Sequence, residues 1–373
     1  MQKIAQQISQ RIDFFDLLRG YFVLVIVLDH LERWPGVFDW MTGQGRLWSS
    51  AAEGFFLISG IMIGLIRGHR AIDKPLKVVS KILIERGVVL YLWAVATTLL
   101  FVTWGMLWPY GGLIPPGLFE FQGEATAPNM LWQIFNLQYS YGWAGFLKFY
   151  AIYIMLSPLV IWLLRSGLWW VVLLGSASVW LYGLDQDDWW LSWQLLFYTG
   201  AVLGFYTYSI RDWWHGRTAL DRRVLSAVIF SSSFIFLVLS VFWTFAWNYL
   251  KAPDNPIMSF TDYDIARRYV DPLFDRVSLQ PLRLLVTALW FTSLILLFSR
   301  FEHQLKRFAG WLLMPFGQNS LYVYILHGLV VFALDLLLPA KQYILQNIIV
   351  QILVVALLWF AVKKQFLFKI IPR

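Results

Sequence analysis

Apolar stretches recur along the whole chain, separated by mostly short polar segments. A helical crossing of a bilayer takes about 20 largely apolar residues. Ten stretches approach that length: 14–31, 50–66, 82–104, 147–164, 167–184, 191–210, 224–247, 282–299, 312–337 and 346–362. The pattern predicts an all-α polytopic membrane protein with about ten transmembrane helices, forming one integral domain over 1–373. Two polar connections are long: 105–146, rich in Gly, Pro and aromatics, and 251–281, with Asp254, Asp262, Asp264, Asp271 and Asp275. Polar side chains interleaved with Trp and Tyr suit either carbohydrate or a cap over the membrane interface. In RFEHQLKRF (300–308), Phe301, Leu305 and Phe308 share a helical face, which predicts a helix lying on the cytoplasmic surface. No internal repeat is evident, so the inverted-repeat architecture of many secondary transporters gains no support.

Composition agrees with lipid as the solvent. Of 373 residues 59% are hydrophobic and 14% charged, against roughly 25% charged in a soluble domain. The 22 Trp, 17 Tyr and 30 Phe suit rings parked at the two interfaces. With no cysteine, disulfides and thiolate metal sites are excluded. The polar start MQKIAQQISQRIDFF is too long for a cleavable signal peptide. The net charge of +8 is explained by its distribution rather than by nucleic acid as a partner. With both termini inside, the cytoplasmic segments hold about twice as many Lys and Arg as the outer ones. That predicts a multi-pass inner-membrane protein with cytoplasmic N- and C-termini and the bilayer as its first partner.

Ionisable groups at bilayer depth are costly, so each is a candidate for function. In DLLRGYFVLVIVLDH, Arg19 and His30 are eleven positions apart. Eleven helical steps come to about 1100°, some 20° past three turns, with a rise of roughly 16 Å. The two side chains therefore share one face at different depths, Arg19 near the inner leaflet and His30 toward the outside. Such a stripe suits the wall of a central polar cavity, although Arg19 could also snorkel and His30 could cap a helix end. Acyl transfer to a hydroxyl needs a base of near-neutral pKa, for which imidazole is the usual choice. A CoA thioester also carries phosphates that need cations near the cytosol, and Arg19, Arg86, Lys81 and Lys77 are placed for that.

Glu53 enters the second span at about the depth of His30. It either orients that imidazole or is a first-turn acid favoured by the helix dipole. Gly60, Gly64 and Gly68 recur every four residues, predicting close approach of a neighbouring helix. In FGQNSLYVYILHGL, His327 sits beside Tyr324, and both are candidate substrate contacts; a buried histidine satisfied by a carbonyl is the alternative for His327. His and acidic residues show no metal-ligand spacing, so no metal is expected.

LRGYFVLVIVLDH, GFFLISG (54–60) and FGQNSLYVYILHG (316–328) resemble three anchors of the acyltransferase-3 superfamily of membrane acyltransferases. RIDFFDLLRG, AAE before the second span, KFYAIYIMLSP (148–158) and WQLLFYTGAVLGF (193–205) resemble its OpgC branch, which is associated with succinylation of periplasmic glucans. The chain departs from that branch in keeping Leu-His in the late helix. It departs from the superfamily in having only Lys77, Lys81 and Arg86 where the third helix starts arginine-rich. The resemblance implies an acyl-CoA donor (succinyl-CoA or acetyl-CoA), an extracytoplasmic glycan acceptor, His30 as base and Arg19 as its companion. His30 would act in direct transfer or carry the acyl group transiently. A succinyl donor would further need a cation near the thioester end. The rival readings are an exporter of lipid or oligosaccharide without covalent chemistry, and a subunit in which Arg19 and His30 only hold helices together.

Overall fold

The computed structural model describes all residues except 1, 108–117, 124–125, 187–188, 251–257, 339–342 and 373; Asp254 is outside the described residues. Among those described, the regular elements are all helices: α1 (Gln2–His30), α2 (Val37–Thr42), α3 (Ala51–Met62, continued by a π-helical turn, Ile63–His69), α4 (Leu76–Leu107), α5 (Ala127–Phe135), α6 (Ala144–Arg165), α7 (Trp169–Gln186), α8 (Trp189–Phe205), α9 (Thr207–His215), α10 (Ala219–Leu250), α11 (Phe260–Val270), α12 (Pro281–Arg300), α13 (Glu302–Gln318), α14 (Ser320–Leu337) and α15 (Ile344–Lys363). In lipid every backbone N–H and C=O must be satisfied within the segment, and a helix does this for apolar sequence.

Seven helical segments are long and apolar enough to cross a membrane: Ala51–His69, Leu76–Leu107, Ala144–Arg165, Ala219–Trp247, Pro281–Arg300, Ser320–Leu337 and Ile344–Lys363. The other three expected spans coincide with α1, α7 and α8. Helix α1 carries Asp16, Arg19 and Asp29 within its apolar run, and α8 has 17 residues. The expectation of one helix over 312–337 is corrected. The chain breaks at Asn319 (φ −121°, ψ 34°), so the stretch is the end of α13 followed by α14. The expected surface helix at 300–308 is the first part of α13, where Lys306 pairs with Glu302 at 2.8 Å and with Asp13 of α1 at 3.2 Å.

Helix α1 is central, packing on α3, α12, α13 and α14, whereas α10 lies at the edge against α11 and α12. Its outward side chains Val228, Phe234, Ile235 and Val238 are exposed, as a lipid-facing helix requires. The glycine ladder of α3 meets a matching one on α8. A Cβ on Gly60 or Gly64 would stand 1.9 Å from the carbonyl oxygen of Phe197 or Ala201, and one on Gly200 or Gly204 about as close to Leu57 or Ile61. The two backbones therefore touch, the geometry small residues permit between membrane helices. Helices α1 and α13 meet likewise through Gly20 and Gly317. Gly60→Val is expected to force α3 and α8 apart and cost about 1–3 kcal/mol or more, read as a lower thermal unfolding midpoint in detergent. An unchanged midpoint would show that the contact is dispensable.

Candidate functional site

The eleven-residue spacing on α1 brings both ionisable groups to one neighbour, α14. The Arg19 guanidinium donates to the Ser320 hydroxyl at the start of α14 and lies 3.7 Å from Asp16. Two turns further along α14, His327 Nε2 is 2.8 Å from Nδ1 of His30, with the rings stacked at a centroid distance of 5.1 Å and an interplanar angle of 21°. The Trp143 ring stands 5.6 Å from the His30 ring, and Tyr324 lies edge-on to His327 at 4.8 Å. The Tyr324 hydroxyl donates to the Trp143 carbonyl at 3.1 Å, so these aromatics brace one another around the histidine pair.

His30 lines a cavity of about 360 Å³, with Ile26, Phe56, Trp143, Trp193, Arg276 and Tyr324 among its walls. A second cavity of about 530 Å³ is walled by Trp34, Trp48, Trp243 and Trp247 together with Arg267 and Asp271. Arg276 lines both. Its loop is anchored where Trp193 Nε1 donates to the Arg276 carbonyl at 3.0 Å, and Asp275 accepts from the Ser278 N–H at 2.8 Å and hydroxyl at 2.7 Å. The guanidinium sits over the Trp189 ring at 4.9 Å. Burial pulls its pKa down, and the nearby Glu53 carboxylate opposes that shift.

A family model described as OpgC protein matches residues 10–370. The chain belongs to the OpgC protein family. No curated protein matches it, and no solved structure does.

The site residues expected from sequence do not all meet in one place in this OpgC-family chain. His30 and Tyr324 stand in the cavity wall, and Arg19 shares their helix pair. His327 is fully buried and is not among the residues lining that cavity; it packs behind the His30 ring, closer to the alternative of a buried histidine than to a substrate contact. Glu53, expected to back His30, instead accepts from Arg283 Nε at 2.5 Å and from the Ser50 N–H at 3.0 Å. Arg283 also donates from Nη1 to the carbonyls of Phe274 (3.1 Å) and Leu47 (3.3 Å). The carboxylate thus ties α3 to α12 and closes its own helix N-terminus, a use closer to the alternative for a first-turn acid.

The three cations of α4 separate. Arg86 turns toward Arg19 and Arg67, each within electrostatic range of it. Lys81 faces away, 3.8 Å from Glu85, and Lys77 is exposed one turn earlier on that side. Arg67, Arg276, Arg283 and Trp143 had no assigned part in the site. Arg276 and Arg283 did carry a signal, since in a segment that the sequence reading expects outside they run against the preference for inside positive charge.

Proposed function

We propose that the chain is a membrane O-acyltransferase that moves a short acyl group, succinyl or acetyl, from cytosolic acyl-CoA to a hydroxyl of an extracytoplasmic glycan. The reading joins the family match to one observation: a histidine at the wall of a cavity, with one ring nitrogen bonded internally and the ring braced by aromatics. In this scheme α1, α7 and α8 cross together with the seven more apolar segments, and both termini are cytoplasmic. Arg19, Arg86 and Arg67 form a cluster of positive charge that Asp16, 3.7 Å from Arg19, offsets in part, and the phosphates of CoA supply further negative charge. CoA cannot cross lipid, so only its thioester end needs to reach His30. The glycan enters from the opposite side, through the cavity whose tryptophans offer faces for sugar C–H groups. As the hydroxyl oxygen attacks the thioester carbonyl, His30 takes its proton; the C–S bond breaks, and the departing thiolate is protonated, leaving CoA and an ester.

Arg276 favours succinyl over acetyl. Among the described residues it is the one arginine or lysine lining the cavity with His30. Of the three carboxylates in its field, Glu53 is engaged by Arg283 and Asp275 by Ser278, and Asp29, the neighbour of His30 on α1, is the one that competes with an acyl carboxylate for it. An acyl chain whose carbonyl lies at His30 and whose far end carries a carboxylate completes that pairing. Arg276→Gln is expected to lose about 1.5–3 kcal/mol of this interaction, roughly ten- to a hundredfold in kcat/KM for succinyl-CoA, with acetyl-CoA little affected. An equal loss for both donors would remove the assignment.

The reading is tested by incubating purified protein in nanodiscs with a panel of acyl-CoAs and a periplasmic-type glucan and measuring free CoA. Acceptor-dependent release is expected. Glucan movement across the membrane with no CoA release would favour the exporter and overturn the proposal.

A further inference from the structure

We propose that His327 is a positioning residue that fixes the tautomer of His30, keeping the His30 Nε2 lone pair free to take a proton. The inference rests on the acyltransferase reading for its consequence, but its structural content stands on the histidine pair alone.

A neutral imidazole carries one N–H and one lone pair, so in a bonded pair of neutral rings one must donate and the other accept. The His30 Nδ1 to His327 Nε2 contact of 2.8 Å can be written both ways. If His327 donates, His30 Nδ1 holds the lone pair and its Nε2 holds the proton, so His30 cannot act as a base through Nε2. If His30 donates, its Nε2 is bare. The surroundings of His327 decide between these. Its Nδ1 is buried without a hydrogen-bond partner, and the groups that its own helix turns toward a side chain at this position are the carbonyls four and three residues back, those of Val323 and Tyr324. A lone pair turned toward carbonyl oxygens is repelled, whereas an N–H is attracted. The proton of His327 therefore sits on Nδ1, its Nε2 accepts, and His30 is the Nδ1–H tautomer. A group behind a catalytic imidazole that selects tautomer and orientation acts as the carboxylate of a hydrolytic triad does. Here a second imidazole takes that place, and Glu53, bound to Arg283, does not.

Burial gives His327 no other part to play. Its side chain is fully enclosed and outside the cavity wall, so it has no route to a substrate. Tyr324 and Trp143 hold the pair edge-on, which limits rotation of either ring.

The test compares His327→Gln with His327→Leu in the full-length protein in nanodiscs. The Gln amide oxygen can accept from His30 Nδ1–H in place of Nε2; Leu cannot. With five histidines in the chain, ¹⁵N-histidine NMR is tractable, and the His30 signals are those lost in His30→Ala. Wild type and His327→Gln are expected to show His30 protonated at Nδ1, and His327→Leu to shift it toward the Nε2–H form. In turnover, His327→Leu is expected to lower kcat about ten- to a hundredfold at unchanged KM for acyl-CoA, the scale typical of an outer-shell partner, and His327→Gln to recover most of it. His30 protonated at Nε2 in wild type, or equal kcat in the Leu variant and wild type, overturns the proposal. If Leu and Gln lose activity alike with equal unfolding midpoints, the hydrogen bond is not what matters, and the proposal also fails. Absence of CoA release by wild type would count against the acyltransferase reading, while the NMR result would still decide the tautomer.

Discussion

His30→Ala is expected to abolish acyl transfer while leaving the protein folded. Removal of a positioned general base costs about 10²–10⁴ in rate, so CoA release should fall toward background at every acyl-CoA concentration. The fold should survive because His30 borders a cavity rather than filling a packed core: a methyl group there leaves room that water can enter, and His327 Nε2 can take that water as its partner. The measurement pairs single-turnover CoA release with a thermal unfolding midpoint. Wild-type rates in the variant would remove the catalytic assignment; a lost fold would instead mean that the histidine pair holds α1 to α14.

The second large effect concerns stability. Glu53 and Arg283 form an ion pair with side chains 0% and 4% exposed, joined at 2.5 Å. Removing one partner leaves the other charged and buried, which costs about 3–5 kcal/mol. Glu53→Leu and Arg283→Leu are each expected to lower the unfolding midpoint sharply. The double variant should lose clearly less than the sum, because neither desolvated charge then remains unpaired. Strictly additive losses would show that the pair carries no coupling. Since Arg283 also holds the carbonyls of Leu47 and Phe274, both single variants should disturb the larger cavity and the nearby loop bearing Arg276.

Some of the site was legible in the order of residues alone. The spacing of Arg19 and His30 places them on one face by helix geometry, and both in fact bond to α14. The Gly60 and Gly64 ladder announced a close neighbour, since only small residues let two backbones meet. Both are local periodicities, repeated every few residues and independent of what lies across the contact. Other features depend on segments hundreds of positions apart. His30 and His327 are separated by 297 residues and Glu53 and Arg283 by 230, so no local pattern says which partner each will find. Glu53 illustrates the difficulty: its depth in the bundle suited His30, but a guanidinium at the start of α12 competes for it, and a full buried charge is neutralised by an opposite one before it is spent on a neutral ring.

Hydropathy and the placement of cations by themselves determined an all-helical membrane chain and an α1 face bearing two ionisable groups, because burial in lipid and the 3.6-residue helical turn act on each segment separately. Only the tertiary structure decided that the 312–337 stretch breaks at Asn319, that His327 stands behind His30 and not in the cavity, and that Arg276 is the cation both cavities share. These depend on which helices pack together, and that choice is set by the sum of many weak side-chain contacts across the whole bundle.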